Sequence, residues 1–281
     1  MRLSLCNEVL APWSWRRQCD VAAELGYEGL ELAPYTVEPE APHRLSSRRI
    51  KTLRKTAADA GVAVSGLHWL LLAPKGLSIT AADKTQRART LEVMHGLAEL
   101  CAELGGDVLV HGSPAQRRLP RGKGEAAARR RGIEALAGVA ETAARCGVTY
   151  CIEPLAPPMA NFVTSLAEAA AIVDQVDSPG LRTMIDCAAV ANTPTEPPVA
   201  DLIARYWRSG HMAHIQLNDG NRRGPGQGAD DFASILRALK RYRYDGWMAL
   251  EPFIYRPDGP TTAAVSAGYI KGLLAGLGGS K

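Results

Sequence analysis

The chain has 281 residues, with 33 Lys and Arg against 29 Asp and Glu, which gives a formal net charge of +4. Apolar residues make up 46% and charged residues 22%, a balance that excludes a disordered or collagen-like chain. The small charge excess does not indicate nucleic-acid binding, and no run of about 18 apolar residues predicts a membrane span. The first residues lack a signal-peptide pattern and the six Cys form no CxxC pair, so we expect a cytoplasmic protein with reduced thiols.

Short runs rich in Val, Ile and Leu alternate with longer stretches rich in Ala, Leu and charged residues along the whole chain. The short runs predict strands at 3–8, 29–33, 62–68, 107–112, 148–154, 182–187, 212–219 and 247–253. The longer stretches predict helices at 16–26, 46–61, 86–105, 124–147, 165–176, 230–242 and 261–278, several of which end at a Gly. Strands that alternate with helices are typical of a parallel α/β fold.

The number of predicted strands decides between two α/β architectures. Eight strands correspond to about 35 residues per βα unit, and no linker divides them, so the sequence predicts a single (β/α)8 TIM barrel that forms one domain over 1–281. A doubly wound sheet is the alternative, but it usually has fewer strands and would leave the last units unplaced. We expect the Arg-rich stretch at 117–132 to be mainly solvated, and the apolar loop at 69–80 to be a lid or a subunit contact.

Oxygen-bearing side chains end four consecutive predicted strands in the second half of the chain. They are Glu153, Asp186, Gln216 and Glu251, one in each βα unit. In a barrel, the carboxyl ends of the strands meet at one face, which carries the active site. Three carboxylates in an apolar barrel mouth would repel one another without a cation, and oxygen ligands favour Mn2+ or Mg2+, with Co2+ as a further option. The spacing therefore predicts one divalent metal ion held by these four side chains.

The segments CIEPL, TMIDC, HIQLNDGNRRGPGQG and MALEPF resemble the last four strands of the xylose-isomerase-like TIM-barrel superfamily of sugar isomerases and epimerases. The stretch NRRGPGQG, followed by a helix and LEPF, is similar to the ketose 3-epimerases. Gln216 departs from the His of those enzymes and matches the hydroxypyruvate-isomerase-like branch. The resemblance implies that Glu153 and Glu251 act both as metal ligands and as acid/base catalysts, and that Arg222 holds substrate hydroxyls.

The expected activity is that of a divalent-metal-dependent sugar isomerase or epimerase acting on a ketose-like or keto-sugar substrate. A metal that chelates a ketone and a neighbouring hydroxyl acidifies the adjacent C–H and stabilises an enediolate, so positioned carboxylates can remove and return the proton. Met159 and Ala189 stand where the ketose 3-epimerases carry a second Glu and a substrate-contacting His. Because both departures remove polar groups that touch the sugar, we do not expect a standard free ketose as the substrate.

Other residues near the predicted barrel mouth are candidates for substrate binding. His68 and His111 end the third and fourth predicted strands, where a substrate contact competes with a structural role. Trp13 and Trp69 lie in loops at the same rim, where they could stack on a sugar ring or pack against the core. We expect His214 deeper in the barrel, in a packing or supporting role.

Three other functions stay open from the sequence. The same enolisation followed by elimination would make the protein a lyase or dehydratase of a keto-sugar or keto-glycoside. An endonuclease-IV-like DNA repair hydrolase shares the barrel, but Ala189 and Gln216 stand where two of its His ligands would be expected. The third alternative is a non-catalytic barrel subunit. The leading hypothesis implies a small sugar as partner, no nucleic acid and no membrane, with assembly as a homo-oligomer or with a partner subunit left open.

Overall fold

A computed structural model describes residues 1–278, and in this part of the chain eight parallel strands form a closed barrel. The strands are β1 (Arg2–Cys6), β2 (Gly29–Leu32), β3 (Ala63–Leu67), β4 (Val108–His111), β5 (Thr149–Ile152), β6 (Leu181–Asp186), β7 (Met212–Leu217) and β8 (Trp247–Leu250). Each strand pairs with the next along the chain, and β8 pairs with β1 to close the barrel. The predicted (β/α)8 TIM barrel is confirmed.

The helices surround this barrel and connect successive strands. They are α1 (Trp15–Glu24), α2 (Ser47–Asp59), α3 (Lys84–Leu104), α4 (Glu125–Cys146), α5 (Leu166–Val176), α6 (Cys187–Ala191), α7 (Val199–Tyr206), α8 (Phe232–Arg241) and α9 (Gly259–Gly278). Two helices, α6 and α7, were not predicted from the sequence, and both lie between β6 and β7. The first has only five residues, whereas the second does place Leu202, Ile203 and Tyr206 on one buried face at helical spacing.

Alternation along the strands separates two apolar regions. Leu109, Ile152 and Ile185 belong to the large core cluster, which also includes the buried helix faces. Their strand neighbours Val110 and Cys151 belong to a separate small cluster, together with a buried Met of β6. Because successive strand residues face opposite sides of a sheet, this second cluster fills the barrel interior.

Two loop segments combine buried and exposed residues. Leu70 and Leu71 of the apolar 69–80 loop are at most 1% exposed and complete the core, and a lid or subunit contact by the rest of this loop stays a prediction. The Arg-rich stretch is mainly exposed, as expected, at Arg118, Arg121, Lys123 and Arg130. Arg117 is the exception, because it is 0% exposed and lies beside β5. None of the helices within residues 1–278 is long and apolar enough to cross a membrane.

Candidate functional site

A cavity of about 370 Å³ opens where the strands end at their carboxyl termini. Its lining comes from the segments that follow β3, β4, β5, β6, β7 and β8. Six of the residues singled out in the sequence line this cavity: His68, Trp69, Glu153, Asp186, Arg222 and Glu251. The structure therefore brings most of the candidate residues from distant parts of the chain into one enclosed space.

Glu153 follows β5, and its carboxylate has little free space next to Gly112. Gly112, at the end of the neighbouring strand, has no side chain, and a Cβ atom built there would lie only 1.9 Å from Glu153 Oε2. Buried Arg117 donates from Nη1 to the backbone oxygen of Glu153 at 2.6 Å. Burial, followed by the nearby charge of Asp186, raises the pKa of Glu153 to about 8. The role of Arg117 was not predicted, because it lies in a stretch that was expected to be mainly solvated.

Asp186 is the N-cap of α6 and has a partner on each oxygen. Its Oδ1 accepts from the backbone N–H of Ala189 at 2.6 Å, and its Oδ2 accepts from Asn218 Nδ2 at 2.6 Å. Asn218 also donates to the backbone oxygen of Glu251 at 2.9 Å, so it ties the ends of β6 and β8 together. Burial outweighs these hydrogen bonds and raises the pKa of Asp186 to about 6. Sequence reasoning missed Asn218.

Glu251 follows β8 and is the third buried carboxylate of the cavity. It is 4% exposed, and burial raises its pKa well above the usual value, with further contributions from Glu153 and Asp186. The pKa values of all three buried acids stay raised although Arg117 lowers that of Glu153 and Arg222 lowers that of Asp186, so these guanidinium groups only partly offset the cost of burying the acids. This arrangement fits a divalent cation.

Gln216 lies in β7, directly opposite Asp186 in the strand register, and is fully buried beneath the cavity. Its Nε2 donates to Glu31 Oε1 at 2.8 Å, whereas its Oε1 has no hydrogen-bond partner. A buried carbonyl oxygen without a partner is costly unless something else binds it. The free oxygen of Gln216 is therefore a second observation that fits a cation with oxygen ligands.

Glu31, in β2, is the centre of a polar cluster inside the barrel. His214 Nε2 lies 2.7 Å from Glu31 Oε2, and His68 Nδ1 lies 3.7 Å from Glu31 Oε1. Burial acts to raise the pKa of Glu31, but the charge and hydrogen bond of His214, together with His68 and Gln216, lower it to about 2. His214 thus has the deep supporting position that the sequence predicts for it.

His68 joins this interior cluster to the cavity. Its Nε2 lies 2.7 Å from Glu8 Oε2, and although burial opposes protonation, Glu8 and Glu31 raise the pKa of His68. Cys6, Glu8, His68 and Glu251 each have one potential ligand atom within 4.8 Å of the others. In the described residues this group is more compact than the predicted ligand set, with which it shares only Glu251.

The cavity mouth carries two aromatic rings and a guanidinium group. Trp69 packs edge-on against Phe253, with 6.5 Å between the ring centroids, and the Arg222 guanidinium lies 5.1 Å from the centre of the Phe253 ring. The loop that bears Arg222 is held by buried Asp219, which accepts from the backbone N–H of Asp230 at 3.1 Å. These contacts give Arg222 a defined place at the mouth.

Two further candidates lie away from the cavity lining. His111 neighbours the lining residue Val110 on the same strand, so it faces the opposite side, where its Nδ1 lies 2.9 Å from the Tyr150 hydroxyl. Burial, with a contribution from Arg117, lowers the pKa of His111 to about 3. Trp13 packs against the core with the Arg17 guanidinium 5.3 Å from its ring. These contacts favour structural roles for both residues.

The chain is similar to known proteins over most of its length. It is 27% identical to a D-psicose 3-epimerase of Agrobacterium fabrum over 83% of this chain and 77% of the relative. It is also 27% identical to a putative hydroxypyruvate isomerase of Streptomyces coelicolor over 87% of both chains. The crystal structure of a 3-keto-D-glucoside 4-epimerase from E. coli has a TM-score of 0.81 and 18% identity over 97% of this chain and 99% of that chain, which shows the shared fold.

These relatives confirm the expected class of enzyme, a sugar isomerase or epimerase. The chain belongs to the xylose isomerase-like TIM barrel family, whose family model matches residues 19–273.

Proposed function

We propose that the protein is a divalent-metal-dependent epimerase or isomerase that moves a proton at the carbon next to the ketone of a keto-sugar. The observation that carries this proposal is the pair Glu153 and Glu251, two buried carboxylates in one cavity with raised pKa values. A raised pKa makes a carboxylate a stronger base and lets it carry a proton nearer to neutral pH, as acid–base catalysis requires.

We assign the metal ion to Glu153, Asp186, Gln216 and Glu251. The raised pKa values of the three buried acids and the free oxygen of Gln216 support this ligand set. When bound, a Mn2+, Mg2+ or Co2+ ion would polarise the substrate ketone and offset the charge of the carboxylates. Asn218 keeps Asp186 in place, and Glu31 fixes the amide of Gln216.

The two catalytic carboxylates have complementary roles in the proposal. One of Glu153 and Glu251 removes the proton from the carbon next to the ketone, and the other returns a proton to the opposite face, which inverts that carbon. Return by the same carboxylate to the neighbouring carbon would give isomerisation instead. Arg222 donates hydrogen bonds to substrate oxygens, His68 keeps Glu8 in place at the cavity, and Trp69 packs against the sugar.

The proposal is tested by solvent deuterium incorporation. The Mn2+-loaded protein is incubated in D2O with D-psicose, hydroxypyruvate and a 3-keto-glucoside, and deuterium at the carbon next to the ketone is measured by NMR. Exchange into at least one compound, lost in Glu153→Gln and Glu251→Gln, supports proton transfer by this pair. Glu125→Gln makes the same chemical change at an exposed position of α4 and should leave the rate unchanged. Absence of exchange from every compound contradicts the proposal.

A further inference from the structure

One part of the cavity surface has no hydrogen-bonding side chain. We call it the apolar wall, and it comes from the segment after β5 and the first turn of α6: Leu155, Ala156, Pro157, Pro158, Met159, Ala188 and Ala189. The remaining lining includes His68, Arg222 and the three carboxylates. The cavity is therefore divided into a polar part with the reactive groups and an apolar part beside them.

Most backbone N–H groups of the apolar wall are unavailable to a ligand. Pro157 and Pro158 have no N–H group. Four other N–H groups donate within the protein: Leu155 to Val163 O at 3.1 Å, Met159 to Ala156 O at 2.9 Å, Ala188 to Asn218 Oδ1 at 2.7 Å and Ala189 to Asp186 Oδ1 at 2.6 Å. A sugar hydroxyl placed against the side chains of this wall would lose its hydrogen bonds to water and gain none from them.

Met159 gives the apolar wall an open, adaptable surface. Its side chain is 48% exposed, although it lines the cavity and the protein buries most of its large apolar residues. A methionine fills irregular space and contacts aromatic rings through its sulfur. Trp69 and Phe253 add aromatic surface to the same cavity. An apolar, ring-shaped group would find suitable contacts here.

The apolar wall is directly connected to the proposed reaction centre. Leu155 lies two residues after Glu153, and Ala189 donates to the carboxylate of Asp186. A ligand group that contacts the apolar wall therefore lies beside the carboxylates, so it fits a second part of the same molecule that presents its ketone to them. Met159 and Ala189, two of the departures that the resemblance to the ketose 3-epimerases implies, both lie in this wall.

We infer that the substrate is a keto-glycoside whose apolar aglycone packs on the apolar wall, an inference that rests on the proposed function for the sugar part. A free ketose carries a hydroxyl or carbonyl on every carbon and has no group suited to this surface. An apolar aglycone removes water from the wall, and the gain grows with the apolar area that it buries.

The inference is tested by direct binding of a matched pair of probes. Phenyl and methyl 3-keto-β-D-glucosides are titrated into the Mn2+-loaded protein by calorimetry. We expect the phenyl compound to bind about tenfold or more tightly, because one apolar group in a fitting pocket gives discrimination of this order. Met159→Glu should remove most of the preference for the phenyl compound. Val265→Glu, the same kind of change on the exposed face of α9, should preserve the preference. Equal affinities, or binding of neither compound, would overturn the inference.

Deuterium exchange with the same two compounds separates this inference from the proposed function. If deuterium enters both compounds and the protein has the same affinity and the same KM for each, the epimerase or isomerase proposal stands and the inferred aglycone contact is rejected. A phenyl preference without exchange would support the apolar contact and reject proton transfer at this site.

Discussion

Replacing Gly112 with alanine tests whether the exact position of Glu153 matters for metal binding. The new Cβ atom would lie 1.9 Å from Glu153 Oε2 and 3.1 Å from its Cδ, where real Cβ atoms keep at least 3.0 Å from a neighbour. The carboxylate must therefore retreat by more than about 1 Å, a displacement that can cost about a hundredfold in rate when it affects a reacting group.

The expected result is a folded protein with a weakened metal site. Gly112 has no positive φ, so alanine fits its backbone, and the clash is with the movable end of a side chain. We expect Mn2+ affinity to fall about 10- to 100-fold, as it does when the groups that position a ligand are removed. Titration calorimetry with Mn2+ measures this change, and the thermal midpoint of the metal-free protein checks the fold.

A glycine without near neighbours provides the matched control. Gly268, in α9, has no atom within 4 Å of a built Cβ, so Gly268→Ala should leave Mn2+ affinity unchanged and slightly stabilise the helix. If Gly112→Ala binds Mn2+ as tightly as the unmodified protein, Glu153 is not a ligand whose position the glycine secures, and the assigned metal site is wrong.

Three further predictions concern the buried charges. Asp186→Asn should remove bound Mn2+, whereas His68→Asn should retain it; elemental analysis showing the reverse would place the ion in the compact group around His68. In the metal-free protein, the raised pKa of Glu153 makes the native state bind more protons than the unfolded chain between pH 4.5 and about 8, so the thermal midpoint should fall as pH rises through this interval. Added Mn2+ should abolish that fall, and a flat profile without metal would contradict the raised pKa. Glu31 is not a proposed ligand, but Glu31→Met should weaken Mn2+ binding about tenfold, because the Gln216 amide loses the acceptor that orients it. An unchanged Mn2+ affinity in calorimetry would refute this role of Glu31.

The barrel itself was predictable because its strands and helices have strong and regular patterns. The apolar runs predicted all eight strands of the barrel. The polar residues at the ends of these runs, Glu153, Asp186 and Glu251, line the cavity. This works because parallel strands deliver their carboxyl ends to one face whatever the details of packing. Of the two short helices between β6 and β7, α6 was missed because five residues carry little periodic signal, whereas α7 has a helical spacing of apolar residues that could have predicted it.

The direction of individual side chains was less accessible from sequence. In β4, the run Val108–His111 is buried on both faces, so no alternation of polar and apolar residues shows which way His111 points. A shift of one residue moves a side chain from the barrel interior to the helix layer. The roles of Arg117 and Asn218 depend on contacts between distant segments, which no local pattern in a single sequence reveals.

The interior of the barrel explains how glutamine serves at position 216. Glu31 is ionised because its pKa is about 2, so it can only accept hydrogen bonds, and the amide of Gln216 must turn its nitrogen toward it. The amide oxygen is then left free as a neutral ligand, so the charge of the proposed site still comes from its three carboxylates alone. With the proposed ligand set, Gln216 leaves the charge of the metal site unchanged, whereas Met159 and Ala189, two other departures implied by the resemblance to the ketose 3-epimerases, lie in the apolar wall. Proton-exchange chemistry and substrate choice should accordingly respond to different substitutions in this protein.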